Sequence, residues 1–179
     1  MKHIYLVRHC KAAGQEPEAP LTLEGNQQAE LLGEFFINKN VEYIISSPYE
    51  RAKHTIRPLS ERLNLRIHTD NRLQERVLSI KQLDNWMELL ERTYIDDELL
   101  YEGGESSNEA TTRGMKVINE MLQRPEKTIV IVTHGALLSL LIRQYKKQFG
   151  FEDWKKLTNP DVYKLEVNKG EAYIERIWQ

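Results

Sequence analysis

Residues 128–135 read TIVIVTHG, and this stretch decides the fold. Thr128 to Val132 is an unbroken β-branched, apolar run. It reads as a strand buried on both faces, which a parallel sheet covered by helices requires. The run ends in Thr133-His134-Gly135, and an apolar helix over 136–147 follows at once. The amino terminus repeats the pattern, with an apolar run at 3–7 (HIYLV) ending in Arg8-His9. Working outward, Leu23, Ala29, Leu32 and Phe36 predict a helix over 22–38, followed by a strand at 42–46. Ser47, Pro48 and Glu50 fit the N-cap, N1 and N3 positions of a helix that carries Arg51 in its first turn. A short strand at 65–69 and helices at 79–92 and 108–123 come next, the latter opened by a second Ser-x-x-Glu box at Ser106 and Glu109. VYKLEV and EAYIERI, with Gly170 between them, read as a closing hairpin. Alternating strands and helices predict an α/β fold: a mostly parallel sheet, made mixed by the hairpin, with helices on both faces. Residues 76–104 break the alternation and are expected to form a small helical cap.

Composition narrows the field without naming a function. A chain of 179 residues and 21.1 kDa is expected to be one domain, 1–179. Lys plus Arg total 25 and Asp plus Glu 27, a net charge of −2, against a dedicated nucleic-acid binder. The single cysteine, Cys10, excludes an intramolecular disulfide and a four-cysteine zinc site. The longest apolar candidate, Ala136 to Ile142, is interrupted by Ser139 and falls far short of a membrane span. MKHIYLVRH lacks the features of a signal peptide, so a cytoplasmic protein with no membrane partner is expected.

Ligands of open α/β sheets bind beyond the carboxyl ends of strands, near a switch point in strand order. Arg8, His9 and His134 all follow such ends, and the helix carrying Arg51 begins just after another. Taken singly, such a histidine is most often a turn residue and such an arginine a solvated helix residue. Together they form a cationic group in a slightly acidic chain, and a phosphate is its natural guest. No G-x-x-x-x-G-K-[ST] or G-x-G-x-x-G loop is present. A cysteine phosphatase loop starting at His9-Cys10 needs arginine at 16, where Glu16 stands. No His-x-His or His-Glu-x-x-His spacing suggests a metal.

LVRHC at 6–10, PLTLEGNQQA at 20–29, SSPYERAKHT at 46–55, LQE at 73–75, GGES at 103–106 and VTHG at 132–135 occur in a telling order. Over roughly the first 140 residues the chain resembles the histidine phosphatase superfamily, the phosphoglycerate mutase-like group. The resemblance implies a three-layer α/β/α sandwich and catalysis without metal or cofactor. It makes His9 the nucleophile that becomes phosphohistidine, and Arg8, Arg51 and His134 the phosphate pocket. Glu75 becomes the proton donor of the small bacterial-type branch. The chain departs from the family pattern at Cys10, usually glycine, and at Lys11, commonly Glu. Gln15 stands in for a phosphate-contacting Asn. Cys10 is expected to make the protein sensitive to thiol reagents by steric blockage.

The mechanism asks for His9 neutral, with one ring nitrogen fixed by a backbone carbonyl, and for His134 charged by the bound phosphate. The expected activity is phosphomonoester hydrolysis, on a phosphorylated small molecule or a phosphoprotein. The alternatives are a cofactor-dependent phosphoglycerate mutase and a protein phosphohistidine or phosphoserine phosphatase. The resemblance associates mutases with longer insertions and a C-terminal tail, which favours a phosphatase. Trp86, Met87, Tyr94 and Tyr101 are expected either to line a pocket or to be ordinary core. Arg76, Lys81 and Arg92 fit a solvated surface better than a second anion site.

Overall fold

The computed structural model describes residues 1–179. In chain order the elements are β1 (Lys2–Arg8), α1 (Leu23–Phe36), β2 (Tyr43–Ser46), α2 (Glu50–Leu63), β3 (Ile67–Thr69), α3 (Trp86–Thr93), α4 (Ser107–Gln123), β4 (Thr128–Thr133), α5 (Gly135–Arg143), α6 (Phe151–Lys155), β5 (Asp161–Asn168) and β6 (Glu171–Arg176). A 3-10 turn, Asn71–Leu73, follows β3. The six strands form one sheet in the order β3-β2-β4-β1-β5-β6. β3, β2, β4 and β1 are parallel, and β5 pairs antiparallel with both β1 and β6. The mixed α/β sandwich expected from the sequence is the observed fold. No helix is long and apolar enough to cross a membrane.

The strands' two-residue period sorts the core into two layers. Ile4 and Leu6 of β1, with Ile129 and Ile131 of β4, pack with α4 and α5. Tyr5, Val7, Val130 and Val132 face the other way, onto Leu32 and Phe36 of α1 and Ala52, Ile56 and Leu59 of α2. Because every inward position of β4 is apolar, neither face could tolerate solvent, and the helices on both sides follow from that. Leu23, placed by its spacing on the apolar stripe of α1, is 78% exposed, and Gly25 and Gly33 lie buried instead. Thr22 caps α1 by accepting from Gly25 N–H, and Ser106 and Glu109 close the expected capping box of α4. The hairpin turn is Lys169-Gly170, with φ of 50° and 83°, the paired positive angles that match the strands' twist.

The structure corrects three local expectations. Only Trp86–Thr93 of the helix expected at 79–92 forms. Residues 77–80 pair instead with 102–105: Ile80 N–H donates to Glu102 O at 2.9 Å and Glu105 N–H to Val77 O at 2.8 Å. Gly104 permits that approach, since a β-carbon there would lie 2.1 Å from Leu78 O. The helix expected over 136–147 stops at Arg143, and the five-residue α6 follows it. Finally, α2 begins at Glu50, later than the Ser47-Pro48 signal implies, with Tyr49 at its N-cap and no side-chain cap bond.

Candidate active site

Strand order brings the sequence-separated residues together. β4 inserts between β1 and β2, so three parallel carboxyl ends lie side by side. Arg8 is paired with Thr133, His9 N–H donates to Thr133 O at 3.1 Å, and Ser47 N–H donates to Val132 O at 2.9 Å. The rings of His9 and His134 consequently stand 5.1 Å apart, edge to face. Arg51, in the first turn of α2, is buried against them and directs its Nε at His9 Nε2, 3.3 Å away. Its Nη1 donates to the carbonyls of Gln15 (3.1 Å) and Glu16 (3.0 Å).

The His9 imidazole is oriented by its own loop. Nδ1 lies 2.7 Å from the carbonyl of Cys10, which fixes the proton there and leaves Nε2 as an acceptor, met in the free protein by Arg51 Nε. This is the backbone anchor the sequence reading asks for. Burial is the main cause that pushes the His9 pKa down to about 4; the Cys10 carbonyl opposes the shift, and the Arg51 and Arg8 charges add to it. Asn159 Nδ2 donates to His9 O at 2.9 Å, tying the same loop to the segment before β5.

His134 is fully buried, and burial, helped by the charges at His9 and Arg51, holds its pKa well below the usual histidine value. Its Nε2 shares a 2.8 Å hydrogen bond with Ser47 Oγ, and its Nδ1 is buried without a partner. In the free protein His134 is therefore neutral, and the charge expected of it must come with an anion. Ser47 is the residue that the capping pattern misassigned. Its Oγ serves His134 and accepts Tyr49 N–H at 3.3 Å, and α2 starts after it.

Arg8 lies with its guanidinium against Gly135 and donates from Nη1 to Leu157 O at 3.0 Å. Burial lowers its pKa, and the charges of Glu75 and Asp161 act the other way. Glu75 receives three backbone N–H groups: Arg76 (2.8 Å) and Leu137 (2.8 Å) on Oε1, Ala136 (3.0 Å) on Oε2. It thus sits on the N-terminus of α5, where free N–H groups and the helix dipole both stabilise negative charge. The segment carrying it is clamped. Thr133 Oγ1 donates to Leu73 O at 2.7 Å. Arg113, paired with Glu105 at 2.6 Å, donates to the carbonyls of Arg72, Gln74 and Glu75.

Arg8, Gln15, Glu75 and Arg76 line one cleft of about 460 Å³ with Leu78, Trp86, Leu90, Ala136 and Trp154. Arg76 is not the solvated residue its charge suggests: it is 6% exposed, and its guanidinium bonds Thr93, Ser107 and the Glu105 carbonyl. Lys81 and Arg92 do lie at the surface, paired with Glu102 and Glu88. Of the cap residues, Trp86 lines the cleft, Met87 is exposed, Tyr94 is core with its hydroxyl on Ser139, and Tyr101 donates to Leu89 O. Cys10 is fully buried beside Leu21 and Ala29, and burial raises its pKa to about 12. A thiol so enclosed is not open to reagents, contrary to expectation. Lys11 points outward and pairs with Glu24 at 2.7 Å.

Ser47 as a histidine partner, Arg113 as a clamp, and Asn159 and Trp154 are not foreseen from the sequence. Ser47 alone carried a signal, its place at a strand's carboxyl end. The model of a family described as histidine phosphatase superfamily (branch 1) matches residues 4–179, well beyond the first 140. A probable phosphoglycerate mutase GpmB of Salmonella paratyphi A is 30% identical over 160 residues, 79% of this chain and 74% of that protein. Among solved structures, Bacillus stearothermophilus YhfR superposes with a TM-score of 0.82 at 23% identity, covering 98% of this chain and 96% of that one. A mycobacterial glucosyl-3-phosphoglycerate phosphatase in complex with VO3 gives 0.80 at 20% identity, with 99% of each chain covered. Both structural likenesses concern the fold.

Proposed function

The chain belongs to the histidine phosphatase superfamily, and from that premise we propose that it hydrolyses phosphomonoesters through a phosphohistidine on His9, without a metal. The observation that carries the reading is the His9 anchor: Nδ1 at 2.7 Å from the Cys10 carbonyl, with Nε2 left as an acceptor that Arg51 Nε meets at 3.3 Å, beside the His134 ring. We take 1–179 as one catalytic domain with 76–104 as its cap, a view supported by one sheet with both faces covered.

In the first step the Nε2 lone pair bonds to phosphorus as the ester P–O bond breaks. Arg8 and Arg51 neutralise the oxygens with charge that cannot be lost. The entering dianion draws a proton onto His134, whose unpartnered Nδ1 marks unused hydrogen-bonding capacity. Glu75 is placed to pass a proton to the leaving alkoxide. Glu75 then takes a proton from water as the water oxygen bonds to phosphorus and the N–P bond breaks. Inorganic phosphate and neutral His9 result. Gln15, at the cleft wall, is a further candidate contact to the substrate.

A phosphorylated small molecule suits the cleft better than a protein surface, because Leu78 and Trp86 of the cap segment close one side. A cytoplasmic setting, where such metabolites occur, accords with a lone buried thiol. The name of the curated relatives favours a second reading, phosphoryl transfer within a phosphoglycerate. Incubation with 3-phosphoglycerate and a trace of bisphosphoglycerate separates the two: net phosphate release supports hydrolysis, and isomerisation faster than release supports the mutase. His9→Ala should lower kcat by at least ~10³-fold. Labelled phosphate should be trapped on the wild-type protein in a neutral quench and absent from the variant; activity without that adduct overturns the nucleophile.

A further inference from the structure

The end of the cleft that receives the phosphoryl group is cationic, but the end left for the alcohol is not. Leu78, Trp86, Leu90 and Trp154 form its wall. Of the polar residues at the cleft, Arg8 and Glu75 are assigned to the phosphoryl group and its leaving oxygen. Arg76 lines the cleft as well, but its guanidinium is engaged by protein groups. Its Nη1 bonds Thr93 Oγ1 (3.3 Å) and Ser107 Oγ (2.9 Å), its Nη2 bonds Glu105 O (2.6 Å), and only its Nε, buried, is left without a partner. Gln15 remains as the one uncharged polar group able to meet the alcohol. Lys81 lines the adjoining hollow that shares Leu78 and Trp86 with the cleft, and is paired there with Glu102; Arg92 is paired with Glu88. A carboxylate or second phosphate on the substrate would therefore lose its hydration to cations already engaged by protein groups.

The two tryptophans are built for a different guest. Their ring centroids are 6.4 Å apart with planes at 88°. Trp154 stacks on Phe151 at 5.5 Å and 22°, and Phe151 packs on the buried Tyr94 at 5.9 Å, so Trp154 is held by a packed aromatic column. Trp86, on the first turn of α3, keeps 46% of its surface exposed. A large aromatic face left in water beside an apolar wall is area that a bound ligand can cover, and apolar burial is the free energy such a wall offers.

Resting on the phosphatase reading above, we infer that the leaving alcohol is an apolar, ring-sized body seated against Trp154 and Trp86. These two residues set specificity, favouring an apolar alcohol over one that carries a second anion. The class is an alkyl or aryl phosphomonoester whose phosphate is its sole charged group.

The test compares kcat/KM for 2-phenylethyl phosphate, 3-phosphoglycerate and glycerol 1-phosphate, primary alkyl esters of comparable leaving-group basicity, with p-nitrophenyl phosphate as a control for the chemistry. The wild-type protein should prefer 2-phenylethyl phosphate over 3-phosphoglycerate by ~10–100-fold, the factor that burying one apolar side chain's worth of surface supplies. Trp154→Ala and Trp86→Ala should each cut that preference by about tenfold, with the larger loss on the phenylethyl ester, and Trp86→Phe should keep most of it. Should Trp154→Ala fail to fold, Trp154→Phe and the half-exposed Trp86→Ala still decide. Equal or better turnover of 3-phosphoglycerate, or equal losses on all esters in the tryptophan variants, overturns the inference while p-nitrophenyl phosphate hydrolysis leaves the phosphatase reading standing. No phosphate release from any ester, p-nitrophenyl phosphate included, overturns both.

Discussion

Gly135 and Arg8 stand closer than any larger residue at 135 would allow: a β-carbon on Gly135 would lie 2.8 Å from Arg8 Nε and 2.9 Å from its Cζ and Nη2. The atoms in the way are the far end of a flexible side chain, so a methyl group would displace the guanidinium without disturbing the sheet. Gly135→Ala should therefore lower kcat/KM by ~10²-fold, the order expected when a substrate-positioning group moves by about 1 Å. Thermal unfolding should change little, since alanine within a helix is favoured over glycine by up to ~1 kcal/mol. Unchanged activity would show that Arg8 does not hold the substrate from this position.

Glu75 joins two jobs in one carboxylate, a cap on α5 and the proposed proton carrier. Glu75→Gln keeps the shape but places an NH2 group toward backbone N–H donors and removes the charge. The stability cost should be ~1–3 kcal/mol, as for a buried donor left without its acceptor. On alkyl phosphates kcat should fall ~10²–10⁴-fold, and on p-nitrophenyl phosphate, whose leaving group needs no proton, by no more than ~10-fold. Parallel losses on both substrates would leave Glu75 with the capping role alone.

Whether a residue's role was legible in the sequence depended on how local its determinants are. β1 and β4 were legible because a strand buried on both faces must be apolar at every position, as Ile129 to Val132 are. His9 and His134 could be placed by continuity, each following such a strand. The Ser106 box formed as read because cap and helix lie within four residues. Ser47 carries the same signal, yet His134, 87 residues away, takes its hydroxyl. Arg76 read as solvated because charge implies exposure unless distant partners such as Ser107 satisfy it. Trp154 sits on a helix of five residues, too short to show a period.

Cys10 occupies the place next to the nucleophile, but its thiol is fully enclosed and its pKa is raised by burial to about 12. Only thiolate reacts at useful rates, so the native protein at pH 7.5 should be labelled neither by iodoacetamide nor by Ellman's reagent, and its activity should persist. In urea the single thiol of the chain should react fully. Rapid labelling of the native form at a rate insensitive to denaturant would show that the loop bearing His9 opens.

His9 couples the site to stability through pH. Burial carries its pKa from 6.5 down to about 4, so between those values the unfolded chain binds a proton that the native protein refuses. The stability that His9 contributes is then fully present above pH 6.5 and is lost as pH falls toward 4, by ~3 kcal/mol in all. Buried His134, shifted the same way, steepens the decline. Urea unfolding midpoints measured from pH 7.5 to 4.5 should fall, and His9→Gln, which cannot take up a proton, should flatten the curve. Identical slopes for the two proteins would mean that His9 is more open to water, and closer to its ordinary basicity, than its place between Arg51 and the Cys10 carbonyl implies.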